Sequence, residues 1–359
     1  MDIESKMDLV RQVGEEIVTE EELKSLFETK QRPIAYDGFE PSGTAHIAQG
    51  ILRAINVNKM TKAGIHFKMY AADWHAWTNL KFGGDLEKIQ VAGDYLIEIW
   101  KASGMDMDKS KVTFIRATDV VDNQDYWKKV MRIAQHSTIK RILRCGQIMG
   151  RKESEVQQAS QIIYPCLQAA DIFEFEADIT QLGMDQRKVN MLAREVGPKL
   201  GWWKPVVVSH HMLMGLNEPP KGDKNNVDRK IEMKMSKSKP DTAIFMTDTP
   251  HDVIRKIKKA YCPANIVEEN PLMDYARHIL FEEFKEIKVE RPAKFGGDLT
   301  FHSIHELEKT YATGNLHPMD LKNAVASHLN KLLDPVRKHF SKGKPKQLME
   351  KVNSFKVTR

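Results

Sequence analysis

Residues 33–50, PIAYDGFEPSGTAHIAQG, decide how the rest of the chain is read. PIAYDGF (33–39) is a short apolar run of the kind that forms a strand buried on both faces. A Pro/Ser/Gly turn follows, then a helical pattern from about His46 to a stop at Gly64. The same strand, loop and helix recur outward. HFKMYAA (66–72) precedes a helix from Asp85 to about Ser103, and VTFIRA (112–117), ADITQL (177–182) and PVVVS (205–209) are further strands. Continuous apolar strands alternating with helices predict an α/β fold: a doubly wound parallel sheet with helices on both faces and ligands beyond the carboxyl ends of its strands.

Around this core the chain divides. Residues 1–32 read as an N-terminal helical segment, with Thr19 and Glu22 as a capping box ahead of Leu23, Leu26 and Phe27. A long helical block, about 122–172, is too large for a simple crossover and reads as an insertion into a catalytic domain of residues 33–245. Residues 217–233 are polar and aperiodic, as in a mobile surface loop. From 246 to 359 the strand pattern gives way to helical patterns at 252–260, 270–284 and 318–340.

A length of 359 residues with 41% hydrophobic content suits two packed domains. No apolar stretch approaches the roughly 20 residues of a membrane-spanning helix, and MDIESKMDLVRQVGEEI has neither the basic start nor the apolar run of a secretory signal. A cytoplasmic protein without membrane contact is expected. Cys145, Cys166 and Cys262 are far apart and lack metal-binding spacing, so reduced thiols and no structural metal are expected. Lys and Arg balance Asp and Glu up to residue 249, and the whole excess lies after it, 20 against 14. Such a back end suits either a polyanionic partner or a solvated basic surface. The tail Arg337–Arg359, with eight basic residues against Glu350, has the same two readings.

KMSKS (234–238) places two lysines three residues apart among small hydroxyls, a cationic arm able to fold over a triphosphate and neutralise leaving pyrophosphate. PSGTAHIAQG (41–50), at a strand–helix junction, offers backbone N–H groups and a helix dipole to phosphate. Tyr164, Gln168 and Asp171 are spaced i, i+4 and i+7, so on a helix they share one face and can line one pocket.

HIAQ (46–49) and then KMSKS resemble, in this order, the HIGH and KMSKS motifs of class I aminoacyl-tRNA synthetases, with Ala48 in the glycine place and Gln49 in that of the second histidine. YDGFEPSG (36–43), YAADWHAW (70–77), YPCLQAADI (164–172), GMDQRK (183–188), KAYCPA (259–264), KFGGDLT (294–300) and LHPMDLKNAV (316–325) resemble segments of archaeal and eukaryotic cytosolic tyrosyl-tRNA synthetases. The resemblance spans about 30–340. It implies a Rossmann-like catalytic domain with a helical insertion, then an α-helical anticodon-binding domain with a basic tail. The implied reaction is tyrosine activation by ATP, with Mg²⁺ on the triphosphate, and transfer to tRNA(Tyr). By the same resemblance Tyr36, Tyr164, Gln168, Asp171 and Gln186 bind tyrosine; Gly38, Glu40, His46, Gln49, Lys234, Ser236 and Lys237 hold ATP; and His46, Gln49, Lys234 and Lys237 are the catalytic set. Arg144, Arg187, Phe295, His317 and Asp320 contact tRNA, and the insertion makes a homodimer. DNA is not an expected partner.

Two rival readings fit the same sequence. Tryptophan activation on the same fold is disfavoured by Tyr36 together with Asp171. A synthetase-like RNA-binding protein without catalysis is disfavoured by the intact KMSKS.

Overall fold

The computed structural model describes residues 1–149, 158–222, 229, 232–237 and 239–355. Ser238 of the KMSKS stretch, part of the polar 217–233 loop and residues 356–359 of the tail lie outside them. Six strands form the main sheet: β1 Gly14–Val18, β2 Ile34–Phe39, β3 His66–Ala71, β4 Val112–Arg116, β5 Ile179–Thr180 and β6 Val206–His210. Their order is β1-β6-β5-β2-β3-β4. All neighbours are parallel except β1, which runs antiparallel to β6 at the edge. Chain order runs outward one way from β2 to β4 and the other way from β5 to β6. The topological switch therefore falls between β2 and β5, where such sheets place a ligand crevice.

Two expectations need correction. Residues 1–32 are not wholly helical: β1 separates the helices Ile3–Arg11 and Glu20–Thr29. GEEIV carries two strong helix formers, and its strand state is set by pairing with β6 about 190 residues away, which local pattern does not report. The helix after β2 starts at Ile51 rather than His46, with Gly50 as its cap, so His46–Gln49 form a turn. The back end is mostly helical but includes an antiparallel pair, Ile287–Val289 with Leu299–Phe301. Thr19 does cap its helix, its hydroxyl accepting from Glu22 N at 3.2 Å.

In the described part of the insertion lie the helices Gln124–Gln135 and Ile139–Leu143 and the long Ala159–Glu174. Apolar side chains gather in two clusters. One lies between the insertion and the sheet, around Tyr126, Ile133, Leu167 and Val189. The other extends from Met7 through Phe67 and Trp100 to Leu333 and Val352. Among the described residues no helix is long and apolar enough to cross a membrane.

Candidate active site

A cavity of about 780 Å³ opens at the carboxyl ends of β2, β5 and β6. Every residue expected to hold tyrosine or ATP lines it, from Tyr36 and Asp171 at one end to Lys234, Ser236 and Lys237 at the other.

The first end is built by the buried face of the helix Ala159–Glu174, where the i, i+4, i+7 spacing turns Tyr164, Gln168 and Asp171 inward. Asp171 Oδ1 accepts from Tyr126 Oη at 2.9 Å and from Tyr70 Oη at 3.3 Å. His75 Nε2 lies 2.9 Å from Asp171 Oδ2, an ionic contact whose N–H does not point along the line between them. Burial disfavours the imidazolium, but the Asp171 carboxylate outweighs it and raises the His75 pKa. Tyr36, from β2, is fully buried, and its hydroxyl makes no well-formed hydrogen bond. Burial first, then the charges of Asp171 and Asp37, push this phenol well above its ordinary pKa, with Gln168 opposing. It therefore remains a neutral donor and acceptor facing the cavity. Gln168 Nε2 donates to Gln186 Oε1 at 3.0 Å, leaving Gln168 Oε1 without a partner, and Gln186 donates to Ile148 O at 3.1 Å. Glu40, at the end of β2, accepts from Asn79 Nδ2 at 2.9 Å and faces Lys81 at 3.3 Å.

At the other end the two motifs are direct neighbours. Ile47 N donates to Ile244 O and Met246 N to Ala45 O, both at 2.9 Å, fastening the HIAQ turn to the chain just past KMSKS. His46 Nδ1 and Gln49 Oε1 are buried there without hydrogen-bond partners. Lys234 Nζ pairs with Asp185 Oδ2 at 2.5 Å, and Lys237 Nζ reaches Ser42 Oγ at 3.3 Å. Burial and then the Lys81 charge push the Lys237 amine down to about 7. Burial, then Lys237 and Lys234, hold His46 well below its usual pKa, so its ring is neutral. At Gly38 a side chain would begin with a Cβ 3.0 Å from the Tyr70 ring, so this wall has no room for one.

Residues 28–334 match the family tRNA synthetases class I (W and Y). The chain is 49% identical to tyrosine–tRNA ligase 1, cytoplasmic, of Arabidopsis thaliana, over all of this chain and 90% of that protein. Against the tyrosine–tRNA ligase of Thermococcus sibiricus it is 45% identical, covering 98% and 99%. It spans 46% of the longer Arabidopsis tyrosine–tRNA ligase 2, cytoplasmic, at 51% identity. The crystal structure of tyrosyl-tRNA synthetase complexed with L-tyrosine from Pyrococcus horikoshii superposes with a TM-score of 0.90 at 42% identity, covering 98% of this chain and all of that one. The chain belongs to the class I tyrosine–tRNA ligases. As such it is an ATP-using aminoacyl-tRNA ligase with tyrosine as its amino acid.

In this tyrosine–tRNA ligase several residues without a role in the sequence reading belong to the site. Tyr70, His75 and Tyr126 all converge on Asp171. Arg53, buried behind the HIAQ turn, donates from Nη1 to Asp37 Oδ2 at 2.6 Å and lies 3.0 Å from His210 Nδ1, while Nη2 reaches Gln181 Oε1. A guanidinium only donates, so His210 Nδ1 accepts and the ring proton is on Nε2. Burial and then Arg53 keep this imidazole neutral. Burial drives Asp37 up to about 7 despite Arg53. Tyr70, His75 and Asp185 fall within the quoted segments, but their partners are distant in sequence. For Arg53, Gln181 and His210 the sequence carried no signal.

The residues expected to meet tRNA form separate groups. Arg187 Nε lies 2.9 and 2.8 Å from the two oxygens of Glu16 on β1. Arg144 is exposed at the end of the helix Ile139–Leu143, which Arg141 ties to Lys188 O at 3.2 Å. Phe295 is 60% exposed with the Lys294 ammonium 4.9 Å over its ring. Arg291 Nη1 donates to Asn315 O at 3.1 Å, bringing that loop beside the LHPMD segment. There His317 caps the helix Pro318–His339, its Nδ1 accepting from Met319 N at 3.1 Å, and Asp320 lies in the first turn without being the cap. His211, Asp274 and His278 bring possible metal-ligand atoms within 4.8 Å of one another. The two imidazoles stack 4.1 Å apart, tilted by only 16°, so their in-plane lone pairs do not converge on one ion.

Proposed function

We propose that the cavity activates tyrosine by in-line attack of its carboxylate on the ATP α-phosphorus, giving tyrosyl-adenylate and pyrophosphate, and then passes tyrosine to the terminal ribose of tRNA(Tyr). The observation that carries this reading is a matched pair of unsatisfied ends. The Tyr36 hydroxyl beside Asp171 lacks a partner at one end, and His46 Nδ1 and Gln49 Oε1 lack partners near two lysines at the other. The substrate carboxylate is ionised near neutral pH, so no general base is needed; catalysis rests on positioning and on stabilising phosphate charge.

Tyr36 and Asp171 receive the phenol. Phenylalanine would leave the buried Tyr36 hydroxyl unpaired beside Asp171, and tyrosine against phenylalanine is the standard illustration of that selectivity. Tyr164, Gln168 and Gln186 hold the amino group and nearby polar atoms. Gly38, Glu40, His46 and Gln49 hold ATP from one side, while Lys234, Ser236 and Lys237 close from the other. Mg²⁺ belongs with this chemistry and would neutralise triphosphate charge. Glu40 and Asp185, the carboxylates nearest that end, each face a lysine, an arrangement that suits an ion carried on phosphate oxygens and water more than a protein cage.

The same proposal divides the molecule near residue 246, beyond the six-stranded sheet and the lysine loop, where an anticodon-binding half begins. Asp320 accepts from a base edge and Phe295 stacks on an unpaired base, with His317 beside them; Arg187 and Arg144 approach the acceptor end. Two copies associate through the insertion, where Trp127, Met131, Ile139, Ile162 and Ile163 expose apolar side chains. Cytoplasmic residence follows the names of the Arabidopsis relatives.

ATP–pyrophosphate exchange tests the activation step, with tyrosine, phenylalanine and tryptophan compared and an Asp171→Asn variant alongside. Exchange with tyrosine alone, falling at least a hundredfold in the variant, is expected. Exchange with tryptophan overturns the pocket assignment, and none with any amino acid overturns the activity.

A further inference from the structure

Residues 211–216 leave the carboxyl end of β6 and contribute His211, Met212 and Leu213 to the cavity wall. Their backbone is also the partner of the lysine loop. Met235 N donates to Leu213 O at 2.9 Å, Gly215 N donates to Met233 O at 2.8 Å, and Met214 bridges Lys234 antiparallel. The start of the Lys234 side chain is therefore set by the position of residues 213–215.

That position is held from the C-terminal half of the chain. Asp274 Oδ2 accepts from Met214 N at 2.9 Å, and Tyr275 Oη donates to Met214 O at 2.8 Å. Both side chains are buried, and both come from the short helix Pro271–Tyr275. The other Asp274 oxygen lies 2.8 Å from His211 Nε2. A buried ionic network is weak ground for stability alone, because desolvation offsets its Coulombic gain. Here it satisfies both main-chain groups of one residue and so fixes a geometry. The helix Pro271–Tyr275 packs in turn on Pro318–His339, the helix whose first turn carries Asp320.

We propose that Asp274 and Tyr275 are positioning residues for the phosphate chemistry, a clamp through which the C-terminal half sets where Lys234 meets the nucleotide. This rests on the reading above that Lys234 and Lys237 face the triphosphate. Among the described residues neither Asp274 nor Tyr275 lines the cavity, so loss of the clamp weakens catalysis and ATP use while sparing tyrosine binding.

The test uses the full chain with Tyr275→Phe and, separately, Asp274→Asn. It measures exchange kinetics against ATP and against tyrosine, tyrosine affinity by equilibrium dialysis without ATP, and thermal melting. A fall in exchange kcat/KM for ATP of about tenfold or more is expected, with tyrosine affinity within about twofold of the parent. Parental kinetics in Tyr275→Phe overturn the clamp, and so does a loss of tyrosine affinity as large as the loss of exchange, which marks general loosening. Should Asp274→Asn fail to fold, Tyr275→Phe, which removes one oxygen, decides alone. Lys237→Ala run alongside separates the two ideas. Exchange that survives it refutes the phosphate reading itself, whereas exchange lost in Lys237→Ala but intact in both clamp variants refutes only the clamp.

Discussion

Asp171 holds two phenols and an imidazole around it, and that crowding gives Tyr36 its importance. With one carboxylate oxygen shared by Tyr70 and Tyr126 and the other facing His75, the hydroxyl free to answer a substrate phenol is that of Tyr36. Tyr36→Phe is therefore expected to raise the tyrosine KM in exchange about tenfold, in line with one hydrogen bond. It should narrow the preference over phenylalanine by a similar factor; unchanged discrimination in side-by-side assays would refute the assignment. Tyr164, Gln168 and Asp171 were legible because a motif and a helical period both pointed to them, and Tyr36, on a strand, through its motif alone. The surrounding Tyr70, His75 and Tyr126 were not, since a contact between residues 45 or 101 positions apart leaves no local pattern. Arg53 was hidden more deeply, because an arginine on a helix reads as solvated until the structure shows it wholly buried against Asp37.

The helices of the insertion and the first strand make opposite points about single elements. Gln124–Gln135 turns Tyr126, Val130 and Ile133 into the molecule yet leaves Met131 58% exposed, and Ile139 on the next helix is 70% exposed. Trp74 joins Trp77 and Trp127 edge-on beside them. Met131→Glu with Ile139→Glu is expected to halve the mass seen by light scattering, while changing the melting free energy by no more than about 0.5 kcal/mol per exposed site. A parent chain already running as a monomer would refute the association. The periodicity of these helices could be read directly, whereas β1 could not: Glu15 and Glu16 favour helix locally, and the hydrogen bonds that make a strand of them belong to β6. The displaced helix start at Ile51 has a similar origin, for His46–Gln49 are held as a turn by residues 244–246.

Across the whole molecule, His211 gathers charge from two distant parts of the chain. Burial opposes its proton, but Asp274 and Glu15 raise its pKa from 6.5 to about 10. His278, stacked on it, is pushed down to about 4 by burial and the His211 charge, and neutral His210 adjoins it in sequence. A base bound more tightly to its proton when folded contributes stability in full below pH 6.5 and loses it as pH rises through about 10. His278 acts in the opposite sense, adding stability as pH rises from about 4 to 6.5. Urea unfolding across pH should thus show a limb falling from 6.5 to 10 that flattens in His211→Gln; an identical slope in the variant would remove His211 as its source. The apolar interior is equally indifferent to sequence order. Tyr95 meets Phe340 with ring centroids 5.3 Å apart, Phe82 meets Phe355 at 5.4 Å, and Glu98 lies 2.8 Å from His339. The helix Leu86–Ala102, whose Trp100 Nε1 donates to Gln49 O at 3.0 Å, is thus finished by residues some 250 positions later. On the ribosome, then, the sheet-bearing part of the chain waits with an open flank until residues 340–355 have emerged, and a product clipped before them presents that flank to the cell's proteases.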